Sequence, residues 1–156
     1  MAIHIVLVEP EIPPNTGNIA RSCAATGSVL HLVKPLGFSI EDKQLKRAGL
    51  DYWPYVKLAV HENLGTFLEE HQGRTMYFAT TKGEHSYTEM DFHDEDMILF
   101  GKETEGLPRS LIEKRRHHTI RIPMSEDTRL RSLNLSNSVN IILFEALRQL
   151  GFPSLK

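Results

Sequence analysis

The fold class that the sequence predicts is an α/β domain with a mostly parallel sheet and helices on both faces. Short apolar runs alternate with helix-like stretches along the 156 residues. Each run is continuously apolar instead of alternating with polar residues, as expected of strands that are covered on both faces. Glycine follows three of the helix-like stretches, at Gly27, Gly49 and Gly73, where it can end a helix in the left-handed conformation.

The predicted strands and helices alternate along the chain. The strands are predicted at Ile3–Val8, Val29–Val33, Val56–Val60, Met76–Ala79, Met97–Phe100 and Thr119–Ile122. The helices between them are predicted at Gly17–Thr26, Asp42–Ala48, Glu62–Gln72 and Arg109–Arg116. We find no internal repeat, linker or low-complexity tract, so residues 1–156 are predicted to form one domain.

The last helix has the clearest pattern. Ser136 can cap its start, Gly151 follows its end, and Pro153 prevents it from continuing. Its apolar stripe at helical spacing comprises Val139, Ile142, Leu143, Ala146, Leu147 and Leu150. Ile141 and Phe144 fall outside this stripe and widen the apolar surface. Such a width fits either a deeply buried helix or one that packs on its own sheet and also on a second subunit.

Composition narrows the classes of function without choosing one. Apolar residues make up 40% of the chain and charged residues 24%, which is typical of a soluble globular protein. The net charge is −2, so an RNA-binding function would have to depend on local basic clusters, because phosphate contacts need positive charge. The single cysteine, Cys23, excludes an intrachain disulfide and a multi-cysteine metal site.

The sequence also favours a cytoplasmic protein with no membrane span and no metal. The first apolar run is too short to span a membrane, and neither a basic leader nor a small-residue cleavage site accompanies it. Of the eight histidines, only His117 and His118 are adjacent, and adjacent side chains point apart on a helix or a strand. A histidine metal site is therefore not predicted.

Three segments carry polar and glycine residues that folding alone does not require. The first, residues 9–21, leaves the first strand through a proline-rich turn and enters the first helix, where Asn15 or Thr16 can cap it. Arg21 then lies on the side of this helix that faces away from its small packing residues. Taken alone, an arginine in this position is more typical of a solvated or salt-bridged side chain.

The second segment, residues 100–108, places Gly101 and Gly106 around a turn, which can let backbone approach a ligand closely. Its spacing matches neither a phosphate loop nor a dinucleotide-binding pattern. Glu103 and Glu105 would in addition repel a phosphate. This turn is therefore better suited to a neutral or cationic ligand.

The third segment, residues 120–138, contains a strand end, a long loop and a helix start. Five hydroxyl or amide side chains occur in the seven residues from Ser132 to Ser138, which is more than capping requires. All three segments follow predicted parallel strands. We therefore expect them to meet at the carboxyl edge of the sheet, where open α/β sheets bind ligands.

Together these motifs resemble the SpoU-like class of the SPOUT superfamily of RNA methyltransferases. The matching stretches are Asn15-Thr-Gly-Asn-Ile-Ala-Arg21, Phe100-Gly-x-Glu-x-x-Gly-Leu-Pro108, and Ile122-Pro-Met with Ser132-Leu-Asn-Leu-Ser-Asn137. The resemblance spans nearly the whole chain and is strongest to the small members that methylate the wobble ribose of tRNA at its 2′-hydroxyl. It implies S-adenosylmethionine as the cofactor, a homodimer that binds tRNA without an extra domain, and a C-terminal deep trefoil knot that forms the cofactor pocket.

The resemblance also implies roles for individual positions. Contacts to S-adenosylmethionine are implied for Ala79, Gly101, Ile122, Ser132 and Leu133. Arg21 matches the catalytic arginine, and the supporting positions are Asn15, Glu103, Ser132 and Asn134. The chain departs from the pattern at Lys102, where many relatives have proline, and in a slightly longer loop at residues 124–132.

Three alternatives stay open from the sequence. They are the same 2′-O-methylation of ribosomal RNA, a non-catalytic knotted RNA-binding module, and a flavodoxin-like nucleotide binder, which the missing phosphate loop disfavours. An RNA-binding surface is predicted at the basic residues Arg109, Lys114, Arg115 and Arg116, with Arg129 and Arg131 beyond them.

Overall fold

The structure is a computed structural model that describes residues 2–156, apart from the side chains of residues 49–51. Within this part of the chain, seven strands form one sheet in the order β3-β2-β1-β6-β4-β7-β5, and every pairing is parallel. The strands are β1 His4–Val8, β2 Val29–Val33, β3 Lys57–His61, β4 Met76–Ala79, β5 His85–Ser86, β6 Met97–Phe100 and β7 Thr119–Arg121. The predicted α/β class with a parallel sheet is therefore confirmed, and only the two-residue β5 was not predicted.

Five α-helices connect the strands. They are α1 Pro13–Thr26, α2 Lys43–Gly49, α3 Leu64–Glu70, α4 Arg109–Lys114 and α5 Leu135–Gln149. Short segments of 3₁₀-helix occur at Leu50–Tyr55, Tyr87–Glu89, Arg116–His118 and Thr128–Leu130. No helix in the described residues is long and apolar enough to cross a membrane.

The predicted starts of the first and last helices are wrong. The first helix begins at Pro13, four residues before the predicted start, and neither Asn15 nor Thr16 caps it. Proline fits the first helical position because its fixed φ is already helical and its missing N–H is not needed there. The last helix is capped by Asn134, whose Oδ1 accepts from Ser136 N at 2.9 Å and from Asn137 N at 3.3 Å, and not by Ser136.

Helices cover both faces of the sheet, as predicted. Successive residues of β1 alternate between two apolar cores, with Ile5 in the first and Val6 in the second. The first core is closed by α1 and α5, through residues such as Ile19 and Leu143. The second is closed by α3 and α4, through residues such as Phe67. Burial on both faces explains why the strands are continuously apolar.

A row of three histidines crosses the sheet on the side of the second core. His4 Nδ1 lies 2.8 Å from His31 Nε2, and His31 Nδ1 lies 2.9 Å from His61 Nε2. Burial, reinforced by the positive charge that neighbouring histidines and Arg74 would carry, lowers the pKa of His31 to about 3. Burial also lowers the pKa of His61. His31 and His61 are therefore neutral at pH 7, and imidazole–imidazole hydrogen bonds connect the three rings.

Acidification is expected to destabilise the protein through His31. Because the pKa of His31 is lower in the folded than in the unfolded chain, its contribution to stability is full above pH 6.5 and is lost as the pH falls towards 3. Between pH 7.5 and pH 5.0 we expect this histidine to account for about 1–2 kcal/mol of the fall in the free energy of unfolding. Urea unfolding of the protein and of His31→Gln, which keeps a donor and an acceptor, measures that share.

The matched control for this prediction is His117→Gln, because the His117 side chain is 86% exposed. The His117 variant should lose as much stability on acidification as the unchanged protein. An equal fall in the His31 and His117 variants would contradict the assignment to His31.

Candidate functional site

A cavity of about 530 Å³ lies beyond the carboxyl ends of β4, β6 and β7. The three polar segments meet around it, since its lining includes residues of the turn before α1, of the loop after β6, and of the stretch from β7 to the start of α5. The predicted meeting of these segments at one edge of the sheet therefore occurs in the structure. A cavity of this size can hold a ligand as large as a nucleoside.

The structure places all but one of the implied site residues at this cavity. Its lining includes the residues implied for cofactor contact, Ala79, Gly101, Ile122, Ser132 and Leu133. It also includes the supporting positions Asn15, Glu103 and Asn134. Arg21 is the exception: it is exposed on α1 outside the lining, with its guanidinium carbon 4.9 Å from the centroid of the Tyr52 ring.

A chain of hydrogen bonds ties the three segments together. Asn134 Nδ2 donates to Asn15 Oδ1 at 3.0 Å, and Asn15 Nδ2 donates to Glu103 Oε2 at 3.2 Å. The Glu103 carboxylate also accepts from the backbone N–H groups of Glu11 at 2.8 Å and Ile12 at 2.9 Å. These two amides immediately precede the first residue of α1, so the carboxylate lies at the N-terminus of this helix, where a negative charge is favourable. In this geometry Asn15, Glu103 and Asn134 position the walls of the cavity.

A second carboxylate, from Glu11 in the turn before α1, accepts hydrogen bonds from the loop after β6. Glu11 Oε1 accepts from Thr104 N at 3.1 Å and from Thr104 Oγ1 at 2.7 Å. These two hydrogen bonds hold the pKa of the Glu11 carboxyl below its usual value. Each of the two segments therefore supplies a carboxylate that accepts from the other: Glu11 from the loop after β6, and Glu103 from the turn before α1. Sequence reasoning missed Glu11 and Thr104, since no local pattern shows which distant turns touch.

Gly101 is required by the close approach of the chain on itself. A Cβ at this position would lie 2.0 Å from the carbonyl carbon of Gly106 and 2.1 Å from the backbone nitrogen of Leu107. The loop is closed by a hydrogen bond from Gly106 N to Lys102 O at 2.9 Å, and Gly106 has a φ of 72°. Main chain therefore forms this part of the cavity wall.

Two of the charged side chains that line the cavity, Glu103 and Arg121, are engaged by groups of the protein itself. The negative charge of Glu103 is directed into three N–H donors. Arg121 Nη1 donates to the carbonyl oxygens of Gly83 at 3.0 Å and Glu84 at 2.9 Å. In residues 2–156 no group of three or more His, Cys, Asp or Glu residues is arranged to hold a metal ion. The lining thus combines apolar side chains with hydroxyls, amides and charged side chains, among them Lys102, Glu105 and Arg131.

Replacing Glu103 by glutamine is expected to lower the free energy of unfolding by about 1–3 kcal/mol. The glutamine keeps one acceptor oxygen, but its NH₂ group would face N–H donors that the carboxylate now satisfies. Urea unfolding measures the loss. The matched control is Glu105→Gln in the same loop, where the side chain is exposed. If both variants unfold at the same urea concentration, the described role of Glu103 is wrong.

Comparison with known proteins decides the family. The model of the SpoU rRNA Methylase family matches residues 2–144. The chain belongs to the SpoU rRNA Methylase family. Among its relatives in this family, the tRNA (cytidine(34)-2′-O)-methyltransferase of Methylovorus glucosotrophus is 53% identical over 149 residues, which cover 95% of this chain and 96% of the relative.

Two solved structures extend this similarity from sequence to fold. The first is a structure described as giving structural insights into the 2-OH methylation of C/U34 on tRNA. It superposes with a TM-score of 0.90 and is 45% identical, and the match covers 96% of this chain and 97% of that chain. The other is an AdoMet-bound rRNA methyltransferase from Sinorhizobium meliloti, with a TM-score of 0.83 and 26% identity over 96% of this chain and 57% of its own. The SpoU methylase fold is thus shared along nearly all of this chain.

Proposed function

We propose that this SpoU methylase transfers a methyl group from S-adenosylmethionine to the ribose 2′-hydroxyl of the wobble nucleotide, cytidine or modified uridine, of tRNA. The observation that carries the proposal is the full-length similarity to the Methylovorus tRNA (cytidine(34)-2′-O)-methyltransferase. The cavity supports it, because the residues that match the family motifs line one space of suitable size. The reaction is placed in the cytoplasm, where tRNA is found in bacteria.

The residues of the cavity fit S-adenosylmethionine. The decisive observation is the loop at Gly101, which packs so closely on its own backbone at residues 106 and 107 that no Cβ can be accommodated, so that main chain forms this part of the lining. Ala79, Gly101, Ile122, Ser132 and Leu133 would hold the cofactor, largely through main-chain groups and small side chains. When bound, the cofactor supplies a methyl group carried on a positively charged sulfur. The lack of a phosphate loop agrees with such a ligand.

Arg21 acts in this proposal on the RNA and not on the cofactor. An arginine side chain keeps its proton under ordinary conditions, so it is a poor general base. Its guanidinium instead stabilises the negative charge that develops on the ribose oxygen or clamps a neighbouring phosphate. The exposed position on α1, outside the cavity lining, agrees with a residue that meets the RNA. Tyr52, whose ring lies beneath the guanidinium, would hold it in place.

We also propose that the active protein is a homodimer. In α5 one face is buried against the sheet and α1, but Ile141 is 37% exposed and Phe144 is 45% exposed. A deeply buried helix is therefore excluded, and the outer apolar face is available to a second copy.

Sedimentation analysis should give a molecular mass of about twice the 17.8 kDa of one chain, and Phe144→Asp should reduce this mass to that of one chain. Tyr55→Asp, at a side chain 75% exposed elsewhere, is the control and should leave the mass unchanged.

A C-terminal trefoil knot is the third part of the proposal. Strand β7 lies between β4 and β5, although β4 and β5 follow each other in the chain. The 80–84 linker between them crosses β7 closely, with Thr80 N donating to Ile120 O at 2.9 Å. These contacts support a chain that passes under its own earlier loop before it continues into α5. Pulling the two termini apart should then give an extended length shorter than that of an unknotted chain, at roughly 3.6 Å per residue.

The experiment that tests the proposed activity is methyl incorporation from labelled S-adenosylmethionine into purified tRNA and purified ribosomal RNA. We expect incorporation into tRNA alone. Incorporation into ribosomal RNA alone would contradict the tRNA assignment. Calorimetry with S-adenosylmethionine tests the non-catalytic alternative, because a protein that only binds RNA should give no heat of binding.

A further inference from the structure

A small basic depression adjoins the cofactor cavity. It has a volume of about 240 Å³ and is lined by Thr81, Lys82, Thr128, Arg129, Arg131 and Ser132. Thr81, Arg131 and Ser132 also line the larger cavity, so the two spaces share a wall. Three cations and three hydroxyl groups in one depression, without a carboxylate in its lining, form a site suited to an anionic oxygen.

Two of the cations are available to a ligand. Arg129 is engaged by Asp127, with its Nη2 2.7 Å from one carboxylate oxygen and its Nε 3.0 Å from the other. Among the side chains that the structure describes, neither Lys82 nor Arg131 has a carboxylate within 4.0 Å. Lys82 and Arg131 therefore make this depression locally positive, although the net charge of the whole chain is −2.

Both walls of the depression are fixed by local contacts. Lys82 N donates to Thr80 Oγ1 at 3.3 Å, and Arg121 Nη1 donates to the carbonyl oxygen of Gly83 at 3.0 Å, so the turn that carries Lys82 is tied to β7. On the other side, Asp127 accepts from Arg129 N at 3.0 Å and caps the 3₁₀ turn Thr128–Leu130. A pocket between anchored turns costs less to order around a ligand than one between free loops.

We propose that this depression binds a phosphate of the RNA next to the ribose that is methylated, through Lys82 and Arg131. The inference rests on the proposed function, because the ribose 2′-oxygen must enter the adjoining cavity to be methylated. Each ribose is joined to a phosphate on either side, so a ribose at the mouth of that cavity brings a phosphate to the shared wall. Lys82 and Arg131 would bind this phosphate together, since both line the depression.

The carboxylate of the cofactor is the other source of an anionic oxygen near this wall, and binding measurements separate the two. The double variant Lys82→Gln/Arg131→Gln is compared with Lys57→Gln/Arg47→Gln, which removes two exposed cations elsewhere. We expect the first pair to weaken tRNA binding at 0.1 M salt by about 10- to 100-fold and to reduce the slope of log K against log salt by about one. The affinity for S-adenosylmethionine should stay within twofold of the unchanged protein.

Several results would overturn the inference. One is equal tRNA affinity and equal salt slope in the two double variants. Another is weaker S-adenosylmethionine binding with an unchanged salt slope, which would assign the depression to the cofactor carboxylate. Lys82→Arg/Arg131→Lys, which keeps both charges, should retain most of the tRNA affinity, and its failure to do so would point to a structural role. If the unchanged protein does not bind tRNA at all, the proposed function itself is wrong.

Discussion

Replacing Arg21 by alanine is expected to lower the rate of methyl transfer to tRNA by about 100- to 1,000-fold, the effect of removing one preorganised donor from a developing oxyanion. Arg21→Lys should retain part of the activity, because an ammonium keeps the charge but loses the planar, bidentate geometry of the guanidinium. Single-turnover transfer from labelled S-adenosylmethionine measures all three proteins under conditions that do not depend on product release.

The position of Arg21 sharpens this prediction. Because Arg21 lies outside the cavity lining, its removal should leave the affinity for S-adenosylmethionine within twofold of the unchanged protein. Arg47→Ala, at an exposed arginine on the neighbouring helix α2, is the matched control and should keep full activity. Equal activity in the unchanged protein, Arg21→Lys and Arg21→Ala would refute the assignment of Arg21 to catalysis.

Replacing Gly101 by alanine is expected to distort the wall of the cofactor cavity, because the added methyl group has no room. The added Cβ would meet the backbone of residues 106 and 107 at 2.0 to 2.1 Å, and no side-chain rotation can relieve a clash with backbone. We expect a loss of about 1–3 kcal/mol in the free energy of unfolding and at least a ~10-fold weaker affinity for S-adenosylmethionine, because the loop must move to admit the methyl group. Urea unfolding and calorimetry measure the two effects.

The control for this prediction is Gly65→Ala in α3. There the nearest atom to an added Cβ is Asn63 Oδ1 at 3.5 Å, an ordinary contact. Alanine is the better helix former, so this variant should be unchanged or more stable by up to about 1 kcal/mol. Retention of normal stability and cofactor affinity by Gly101→Ala would show that the wall at Gly101 does not shape the cavity as described.

The sequence predicts the sheet well because its central strands β2, β1, β6 and β4 are buried on both faces. Six apolar runs stand out between polar stretches, and all six are strands whose bounds differ from the predicted ones by no more than one residue. The exception is β5, where His85 and Ser86 have no apolar pattern. These two residues become a strand only because β7 lies beside them. An edge strand of this kind depends on tertiary pairing, which a local pattern does not contain.

Contacts between distant parts of the chain account for most of what the sequence does not show at the site. The polar segments are visible as motifs, but the acceptor for the amides before α1 is Glu103, about ninety residues away. Tyr52 beneath Arg21 belongs to a different element, with no motif of its own. Thr80 and Thr81 follow the end of β4, so their place at the carboxyl edge could have been predicted from the same rule as the three segments. The pairing of Lys82 with Arg131 could not, because the two residues lie in loops that are far apart in the sequence.

The most direct test of the proposed activity uses two tRNAs that differ in one oxygen atom. Each is incubated with the purified protein and labelled S-adenosylmethionine, and one carries ribose at the wobble nucleotide while the other carries 2′-deoxyribose there. The account predicts one methyl group per tRNA, located by mass spectrometry on the wobble ribose, and none on the deoxy substrate. Equal methylation of both tRNAs would contradict it.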